Sequence, residues 1–559
     1  MSDRNFLLKI AIYSVGITFP MWFLLAVRWP ISGDYTFHSL ILNNVSQQIW
    51  SGDWYPRWLP DTNAGLGSPV FIFSPPSVYF VGALLQWLAP VDPYGFGRLF
   101  LVASFFIFIG GLACYAWLRE YFDRKSAHYG TTLYITFPIT FFLLYLSFAI
   151  PSLSGIMVFP LLLMGATKLA ANPLRYGWYY ALAQGILTFT HLPSTLMFSG
   201  IGWLYAIVIA PPGKRLNVFC CVSTAAALGI MLASMCWVPL WFNTLNVLYD
   251  LAFTGGLDYN SNFISLFAAD KTDVGRNLGG MLRPLIIVVP TFFCLLNIRN
   301  KKPLENNKIQ VYFWGAVLAC IIFMMFPFSK PLWDIIPLLH YIMFPTRLGM
   351  IAFPAIVFLM TNWLPKLENA SIYFVLSIIL GTSIFVLSAN ENYSQTLNPA
   401  QKNVLSHQLM PWAHYTTIWM SKAGISDPAS PPVRFLSVPL YKSVMGDAQL
   451  SGITQTSRSF SFHAHVASPT ALVTLRRYFY PGWIVPDTMP KGVVIAEHDA
   501  LLAVTLPMGD YDVQIKQPWF PGEKVGDLLS AVGLVILLLW IFSVRILFPG
   551  NKNAAIIGG

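Results

Sequence analysis

The run RLFLVASFFIFIGGLACYAWL, at positions 98 to 118, decides the fold class of this chain. Arg98 is its only charged residue, and a helix of this length rises about 30 Å, the thickness of the hydrocarbon core of a bilayer. Similar runs recur along the 559 residues, which are 56% hydrophobic and only 10% charged. Soluble domains carry about 25% charged residues. The composition therefore excludes a soluble fold and predicts an α-helical polytopic membrane protein.

Basic residues cluster in the short gaps between the apolar runs, as Arg124, Lys125, Lys214 and Arg215 do. This placement is typical of cytoplasmic loops, and it accounts for the net charge of +10 without a nucleic-acid partner. If every basic gap is cytoplasmic, the chain crosses twelve times with both termini inside. The predicted spans are 6–27, 98–118, 127–147, 152–170, 177–192, 194–210, 217–240, 281–298, 311–328, 347–364, 371–388 and 525–547.

Two apolar runs need separate interpretation. The first, at 6–27, follows basic residues as a signal peptide does, but it is too long for a signal sequence and lacks a small-residue cleavage site, so we expect a retained helix. The second, at 70–89, would reverse the side of every later basic gap if it crossed the membrane. We therefore predict that residues 73–87 form a re-entrant or interfacial helix that begins at Pro75-Pro76. Thirteen crossings are the alternative.

The predicted topology divides the chain into three parts. Residues 1–388 form a transmembrane bundle with outer loops at 28–97 and 241–280, and residues 525–559 form a final helix with a short cytoplasmic tail. Residues 389–524 form a small extracytoplasmic domain, first helical and then rich in β-structure, because runs bounded by Gly and Pro alternate there. The predicted elements of this domain are a helix at 400–423 and strands at 433–438, 471–477, 492–495 and 501–506.

The loop at 28–97 contains the best candidate for chemistry, which is Asp34 in Gly33-Asp34. A carboxylate just beyond the first membrane helix is partly desolvated, which suits a general base. His38 follows four residues later and shares a face with Asp34 if the stretch to Ile49 is helical. The alternative is that Asp34 is the N-cap of that helix and His38 its polar neighbour, and the local pattern by itself favours this alternative.

Six short segments, in order along the chain, carry a resemblance to a known family. They are Gly33-Asp34 with His38, Gly52-Asp53-Trp54-Tyr55-Pro56-Arg57-Trp58, Gly65-Leu66-Gly67-Ser68-Pro69, Phe73-Ser74-Pro75-Pro76, Phe344-Pro345-Thr346-Arg347 and Tyr478-Phe479-Tyr480-Pro481-Gly482-Trp483. The set resembles the membrane proteins labelled "6-pyruvoyl-tetrahydropterin synthase-related", which look like polytopic members of the glycosyltransferase C (GT-C) superfamily.

The resemblance implies a GT-C-like bundle in a bacterial inner (cytoplasmic) membrane with its active site on the extracytoplasmic side. It implies that Asp34 is the catalytic base and that a sugar moves from a polyprenyl-phosphate donor to a glycan or lipid-linked acceptor with inversion. No clear Asp-x-Asp or Glu-x-Asp pair follows Asp34 within the loop at 28–97. A divalent metal therefore has no support in the sequence, and we expect no cofactor.

Cations that hold the departing phosphate are the second requirement of this chemistry. Arg347, preceded by His340 and Lys330, is the first candidate, and an interfacial anchor is the equal alternative.

Arg57 is a further candidate for substrate binding. It could bind phosphate or sugar beside Trp54 and Trp58. Alternatively, the tryptophans belong to an aromatic belt and Arg57 pairs with Asp53 or with Asp61, itself a candidate substrate-binding residue.

Histidines supply the remaining candidates. His191 could line the cavity at an outer helix end, although a lone histidine there is more often structural. His463 and His465 alternate on one strand face, but two ligands do not make a persuasive metal site.

Two other functional classes compete with a glycosyltransferase. A transporter or flippase of lipid-linked glycans fits the size of the bundle, but few charges lie within the spans and no internal repeat is evident. A non-catalytic subunit for envelope assembly would use the β-rich domain to bind its partner. In each case membrane lipids surround the chain.

Overall fold

A computed structural model describes residues 3–27, 29–30, 33–88, 95–264, 291, 294, 307–363, 381, 393–394, 399–410, 415–427 and 431–547. Within these residues the protein is mostly helical and carries a β-sheet domain near its C-terminus. Seven described helices are long and apolar enough to cross a membrane. They are Phe96–Arg119, Arg124–Leu146, Ile150–Ala171, Leu192–Ile209, Pro212–Leu232, Lys308–Met325 and Glu523–Leu547. Apart from residues 291, 294 and 381, the predicted spans at 281–298 and 371–388 lie outside the described residues.

The helices used below keep one set of labels. They are α1 Asp3–Val27, α2 Gly33–Trp50, α3 Ser77–Leu84, α4 Phe96–Arg119, α5 Arg124–Ile135, α6 Ile150–Ala171, α7 Pro173–Thr190, α8 Leu192–Ile209, α9 Arg215–Leu232, α10 Ser234–Asn243, α11 Lys308–Met325, α12 Gly349–Trp363, α13 Pro399–Ser406 and α14 Glu523–Leu547.

The predicted span at 217–240 is interrupted at Ala233, where the structure separates α9 from α10. The break is stabilised by α14. Ser530 Oγ accepts a hydrogen bond from the backbone N–H of Met235 at 2.8 Å. Gly526 allows close approach, since a Cβ there would lie 2.6 Å from the Ser234 carbonyl oxygen. An apolar run gives no sign of such a break, because its cause lies about 300 residues away in the chain.

The segment at 73–87 folds as a short helix with irregular ends. A 3₁₀ turn at Val70–Phe73 precedes α3, and a second one at Leu85–Leu88 follows it. The eight residues of α3 rise about 12 Å, far less than the bilayer core of about 30 Å. This helix is too short to cross, as the interpretation of a re-entrant or interfacial helix requires.

The β-sheet domain has five antiparallel strands. Ser459–Tyr478 is long enough to pair with Tyr441–Met445 along one half and with Ala448–Gln455 along the other half of the same edge. Leu501–Lys516 covers the opposite edge, and Val494–His498 completes the sheet. The predicted strands at 471–477 and 501–506 are confirmed as parts of these longer strands, and the one at 492–495 is shifted to Val494–His498.

Two elements predicted for this domain are wrong. The run at 433–438 is a helical turn, Val433–Leu436, because Pro432 has the fixed φ that suits a helix start. The helix predicted at 400–423 is two helices, α13 and Ile418–Lys422. The first ends where the carbonyl oxygens of His407 and Gln408 accept hydrogen bonds from the loop at 28–97 rather than from their own helix.

The loop at 28–97 and the C-terminal domain form one packed unit. Trp29–Pro30 pairs with Tyr393–Ser394, and the Leu66 carbonyl oxygen accepts a hydrogen bond from the Tyr478 N–H at 2.8 Å. Buried side chains from both parts share one apolar core. Two of the segments that carry the family resemblance, 65–69 and 478–483, therefore meet at this interface.

Candidate functional site

The helix α2 positions Asp34 and His38. The structure confirms a helix over this stretch, with Asp34 in its first turn. Since residues four apart lie on one helical face, the two side chains share a side of α2. Gly33 is already helical, so Asp34 lies inside the helix rather than at its N-cap. The positive end of the helix dipole stabilises a carboxylate at this position.

Two tyrosines that the sequence analysis missed lie beside this face. Tyr79, from α3, has its hydroxyl 2.8 Å from His38 Nδ1. Tyr415 stacks on Phe37 with a centroid distance of 5.8 Å and nearly parallel rings. Burial, followed by neighbouring groups that include the Asp34 carboxylate, raises the pKa of both tyrosines. Both hydroxyls are therefore protonated at neutral pH and close to the charge of Asp34.

His191 and Arg347 complete this group. His191 lies in the turn between α7 and α8. Burial, followed by the charges of Arg347 and then His38, lowers the pKa of His191 to about 3. Burial likewise lowers the pKa of His38 to about 4. Both imidazoles are neutral at physiological pH.

The turn at Phe344-Pro345-Thr346-Arg347 fixes the guanidinium of Arg347. Met343 has a φ of +65°, a left-handed conformation that costs free energy outside glycine. Arg347 Nη1 then donates to the Ile342 carbonyl oxygen at 3.0 Å, and the guanidinium lies 4.6 Å from the Phe344 ring centroid.

One hydrogen bond and several electrostatic interactions link four of the predicted site residues with the two tyrosines. We refer to the six as the Asp34 cluster: Asp34, His38, Tyr79, His191, Arg347 and Tyr415. Asp34 is the one carboxylate of this cluster, and Arg347 is its one permanent cation.

Arg57 belongs to a different group, so its predicted pairing with Asp53 or Asp61 is wrong. Arg57 is 1% exposed and lies 3.4 Å from Glu523 through Nε. Its Nη2 donates to the Met235 carbonyl oxygen at 2.7 Å. The first turn of α14 supplies this carboxylate, 466 residues along the chain, which no local pattern reveals.

The two predicted partners of Arg57 are occupied elsewhere. Asp53 accepts a hydrogen bond from Ser457 Oγ at 2.8 Å and lies 3.8 Å from Arg458 Nε. Burial lowers the pKa of Arg477 to about 9, and the charge of Asp61 acts on Arg477 in the opposite direction. The substrate-binding roles of Arg57 and Asp61 remain predictions, and the contacts described here place neither in the Asp34 cluster.

The two tryptophans that flank Arg57 differ in burial. Trp54 is 80% exposed, whereas Trp58 is buried, with its ring 5.7 Å from that of Tyr480. A Cβ on Gly67 would overlap the Trp58 indole. Trp58 was predicted either to lie beside a bound sugar or to belong to an aromatic belt. Both predictions are wrong, since Trp58 fills the core between the loop and the β-sheet domain.

His340 and Lys330 form a separate group. His340 Nε2 is 2.8 Å from the Trp333 carbonyl oxygen, and its ring stacks on Tyr259 at 4.8 Å. Lys330 forms an ion pair with Asp334 at 2.7 Å. Their described contacts do not include the Asp34 cluster, although they precede Arg347 closely in sequence.

The two alternating histidines of the β-sheet domain pair with carboxylates on the neighbouring strand. His463 Nδ1 lies 2.9 Å from Asp512, and His465 Nδ1 lies 3.0 Å from Asp510. Across the described ranges, no three His, Cys, Asp or Glu side chains are arranged to hold a metal ion.

Only one of the two missed tyrosines has a local signal in the sequence. Pro75-Pro76 predicted the helix that carries Tyr79, and Tyr79 lies in the first turn of that helix. Tyr415 comes from the C-terminal domain and reaches Phe37 only because that domain docks on the loop at 28–97. Such a contact has no signature in a single sequence.

Comparison with known proteins yields distant likenesses only. No family model matches the chain, and no curated protein matches it. Similar solved structures include the Archaeoglobus fulgidus oligosaccharyltransferase in its apo form, with 11% identity and a TM-score of 0.35 over 75% of this chain and 57% of that one. The same enzyme in complex with Zn and sulfate has 11% identity and a TM-score of 0.36, over 75% and 54% of the two chains.

A third similar structure is ArnT from Cupriavidus metallidurans in the apo state. It has 11% identity and a TM-score of 0.31, over 65% of this chain and 78% of that one. The chain spans just over half the length of the archaeal enzyme.

Proposed function

We propose that this protein is a membrane glycosyltransferase that transfers a sugar from a polyprenyl-phosphate donor to an extracytoplasmic glycan or lipid-linked acceptor. The observation that carries the proposal is the Asp34 cluster itself. A carboxylate in the first turn of α2, two protonated tyrosines, two neutral histidines and an arginine converge from distant parts of the chain. These groups match the needs of a direct displacement at an anomeric carbon.

The proposed step uses Asp34 as the base. The acceptor hydroxyl attacks the anomeric carbon, and Asp34 takes its proton as the new C–O bond forms. The bond between that carbon and the phosphate oxygen breaks, and the lipid phosphate leaves with the electron pair. Arg347 offsets the charge that develops on this phosphate. Attack opposite the leaving group inverts the anomeric configuration.

We assign His38 and His191 a hydrogen-bonding role rather than the role of base. Burial lowers the pKa of both imidazoles, so both are neutral at physiological pH. They remain able to donate hydrogen bonds, since a neutral imidazole keeps one N–H.

The membrane placement is part of the same proposal. The Asp34 cluster lies where the loop at 28–97 meets the C-terminal domain, and the basic gaps between the spans lie elsewhere in the sequence. Basic gaps mark the cytoplasmic side. We therefore assign the cluster to the extracytoplasmic side of a bacterial inner membrane.

Asp34→Asn tests the proposal, with Asp447→Asn as the matched control, because Asp447 is an exposed carboxylate of the β-sheet domain. In purified protein supplied with a polyprenyl-phosphate sugar and an acceptor, we expect turnover of Asp34→Asn to fall about 100- to 10,000-fold and the control to be unaffected. Normal turnover by Asp34→Asn would remove it as the base. If the wild type translocates the lipid in proteoliposomes without transferring sugar, the result would favour a flippase. If the wild type is inactive in both assays, the result would favour a non-catalytic assembly subunit.

A further inference from the structure

His191 caps the N-terminus of α8, and this role fixes the position of its proton. Its Nδ1 accepts a hydrogen bond from the Ser194 backbone N–H at 3.3 Å, with Ser194 Oγ at 2.7 Å. A backbone N–H can only donate, so Nδ1 carries a lone pair. Because His191 is neutral at physiological pH, its single proton is on Nε2.

The Nε2–H group of His191 has no protein partner in the described part of the chain, although the side chain is only 8% exposed. The Nε2 atom is not among the fully enclosed unpaired polar atoms of the described residues, so this donor opens onto space that water or a ligand can enter. A ligand that supplies an acceptor at this place would satisfy the group.

The surroundings of His191 favour an anion as that ligand. The N-terminus of the 18-residue helix α8 carries the positive end of its dipole. The charge of Arg347 acts on the imidazole and disfavours its protonation. An anionic oxygen that accepts a hydrogen bond from Nε2 and lies near Arg347 therefore matches both charge and hydrogen-bonding capacity.

We propose that His191 is a binding residue for the donor phosphate and that it donates its Nε2–H to a phosphate oxygen next to Arg347. This inference rests on the proposed function, since it assigns the donor subsite of the Asp34 cluster. The oxygens of a fully ionised polyprenyl phosphate can only accept hydrogen bonds. A neutral histidine whose Nδ1 is occupied by the helix cap and whose proton is on Nε2 is therefore suited to bind it.

The packing behind His191 keeps the imidazole in this orientation. Gly155, in α6, lies directly against the turn, and a Cβ at that position would overlap Ser194 Oγ and lie 3.2 Å from His191 Cβ. The cap and the glycine together restrain the ring, so Nε2 has one direction in which to donate.

His191→Asn separates the cap from the proposed phosphate contact. Asparagine is among the best N-cap residues, so this variant keeps the helix start but loses the Nε2–H donor. His191→Gln is the complementary variant, because its longer amide reaches toward the Nε2 position. We expect His191→Asn to keep the wild-type melting temperature and to bind a polyprenyl phosphate about 10- to 100-fold more weakly, with His191→Gln between it and the wild type.

The binding assay uses protein in nanodiscs, without acceptor, and compares a polyprenyl phosphate with the polyprenol of the same length. The wild type should prefer the phosphate, and His191→Asn should lose most of that preference. Equal affinity of His191→Asn and wild type for the phosphate would overturn the inference while leaving the proposed function in place. A wild type that does not distinguish phosphate from polyprenol would contradict the proposed function, and the inference with it. ¹⁵N NMR of labelled histidine is an independent test, and a proton on His191 Nδ1 would also overturn it.

Discussion

Removal of the Glu523 carboxylate should destabilise the protein strongly, because Glu523 joins three parts of the chain. It lies in the first turn of α14 and is buried. Arg458, from the β-sheet domain, donates to it through Nη2 at 2.7 Å and Nη1 at 3.1 Å. Arg57, from the loop at 28–97, lies 3.4 Å away, and the Phe520 N–H donates at 2.9 Å.

The magnitude follows from the burial of the partners. Glu523→Ala leaves Arg57, 1% exposed, with Asp527 as its remaining described carboxylate at 3.7 Å. Breaking a buried ion pair by removing one partner costs about 3–5 kcal/mol. Arg458 is partly exposed and can be solvated, so we expect its share of the loss to be the smaller one. The predicted loss in free energy of unfolding is therefore about 3–5 kcal/mol.

The matched control is Asp499→Asn, which removes the carboxylate of an exposed ion pair. Arg434 and Asp499 are 3.0 Å apart, but their side chains are 56% and 44% exposed. Asparagine tolerates the left-handed conformation of this position, where φ is +49°. Exposed pairs contribute about 0–1 kcal/mol. Denaturation in mixed micelles measures both variants, and equal losses for Glu523→Ala and Asp499→Asn would refute the reasoning.

Three other perturbations address the Asp34 cluster. Gly155→Ala forces a methyl group against Ser194 Oγ; we expect a loss of about 1–3 kcal/mol in thermal or chemical denaturation and weaker donor binding, and unchanged values would show that the turn adapts freely. Tyr415→Phe should lower kcat with little change in KM for the donor, since the charge of Asp34, the proposed base, acts on the Tyr415 hydroxyl; wild-type initial rates would remove Tyr415 from the site. The lowered pKa of His38, about 4 against an ordinary 6.5, means that the unfolded state binds more protons below pH 6.5. The neutral His38 imidazole therefore contributes fully to stability above pH 6.5, and this contribution is lost as the pH falls toward 4. The decrease in the free energy of unfolding from pH 7.5 to pH 5 should be smaller in His38→Gln than in the wild type. An equal decrease in both proteins would contradict this prediction.

Features encoded within one helical or strand period were predictable from the sequence. The run at 98–118 forms a helix because, in a bilayer, its backbone N–H and C=O groups can find hydrogen-bond partners only within the helix itself. Asp34 and His38 share a face because they are four residues apart on α2. Pro75-Pro76 marked the start of a short helix, and the length of that helix agreed with a segment that does not cross the membrane.

Features that depend on distant partners were not predictable. The break at Ala233 needs Ser530, and the environment of Arg57 needs Glu523. Both partners belong to α14, whose sequence predicted a membrane span but gave no sign of what it packs against. Trp58 looked like a belt residue because tryptophans next to membrane spans commonly are, and its burial follows only from the docking of the β-sheet domain.

The candidate site shows the same division. His191-Leu192-Pro193 placed a histidine at a helix end, so its position was predictable, whereas its proton location follows from the geometry of the Ser194 N–H. The Phe-Pro-x-Arg segment marked Arg347 through family resemblance. The effect of its charge on His191 depends on where the fold places residues 343–347 relative to the turn between α7 and α8, which a single sequence does not reveal.

An experimental structure of Asp34→Asn with a polyprenyl-phosphate sugar bound is the decisive test of the proposed function, because this variant should retain the donor without transferring it. We expect the phosphate within hydrogen-bond distance of Arg347 and His191 Nε2, with the anomeric carbon facing residue 34. A donor bound elsewhere, with its phosphate on Arg57 or its anomeric carbon turned away from residue 34, would contradict it.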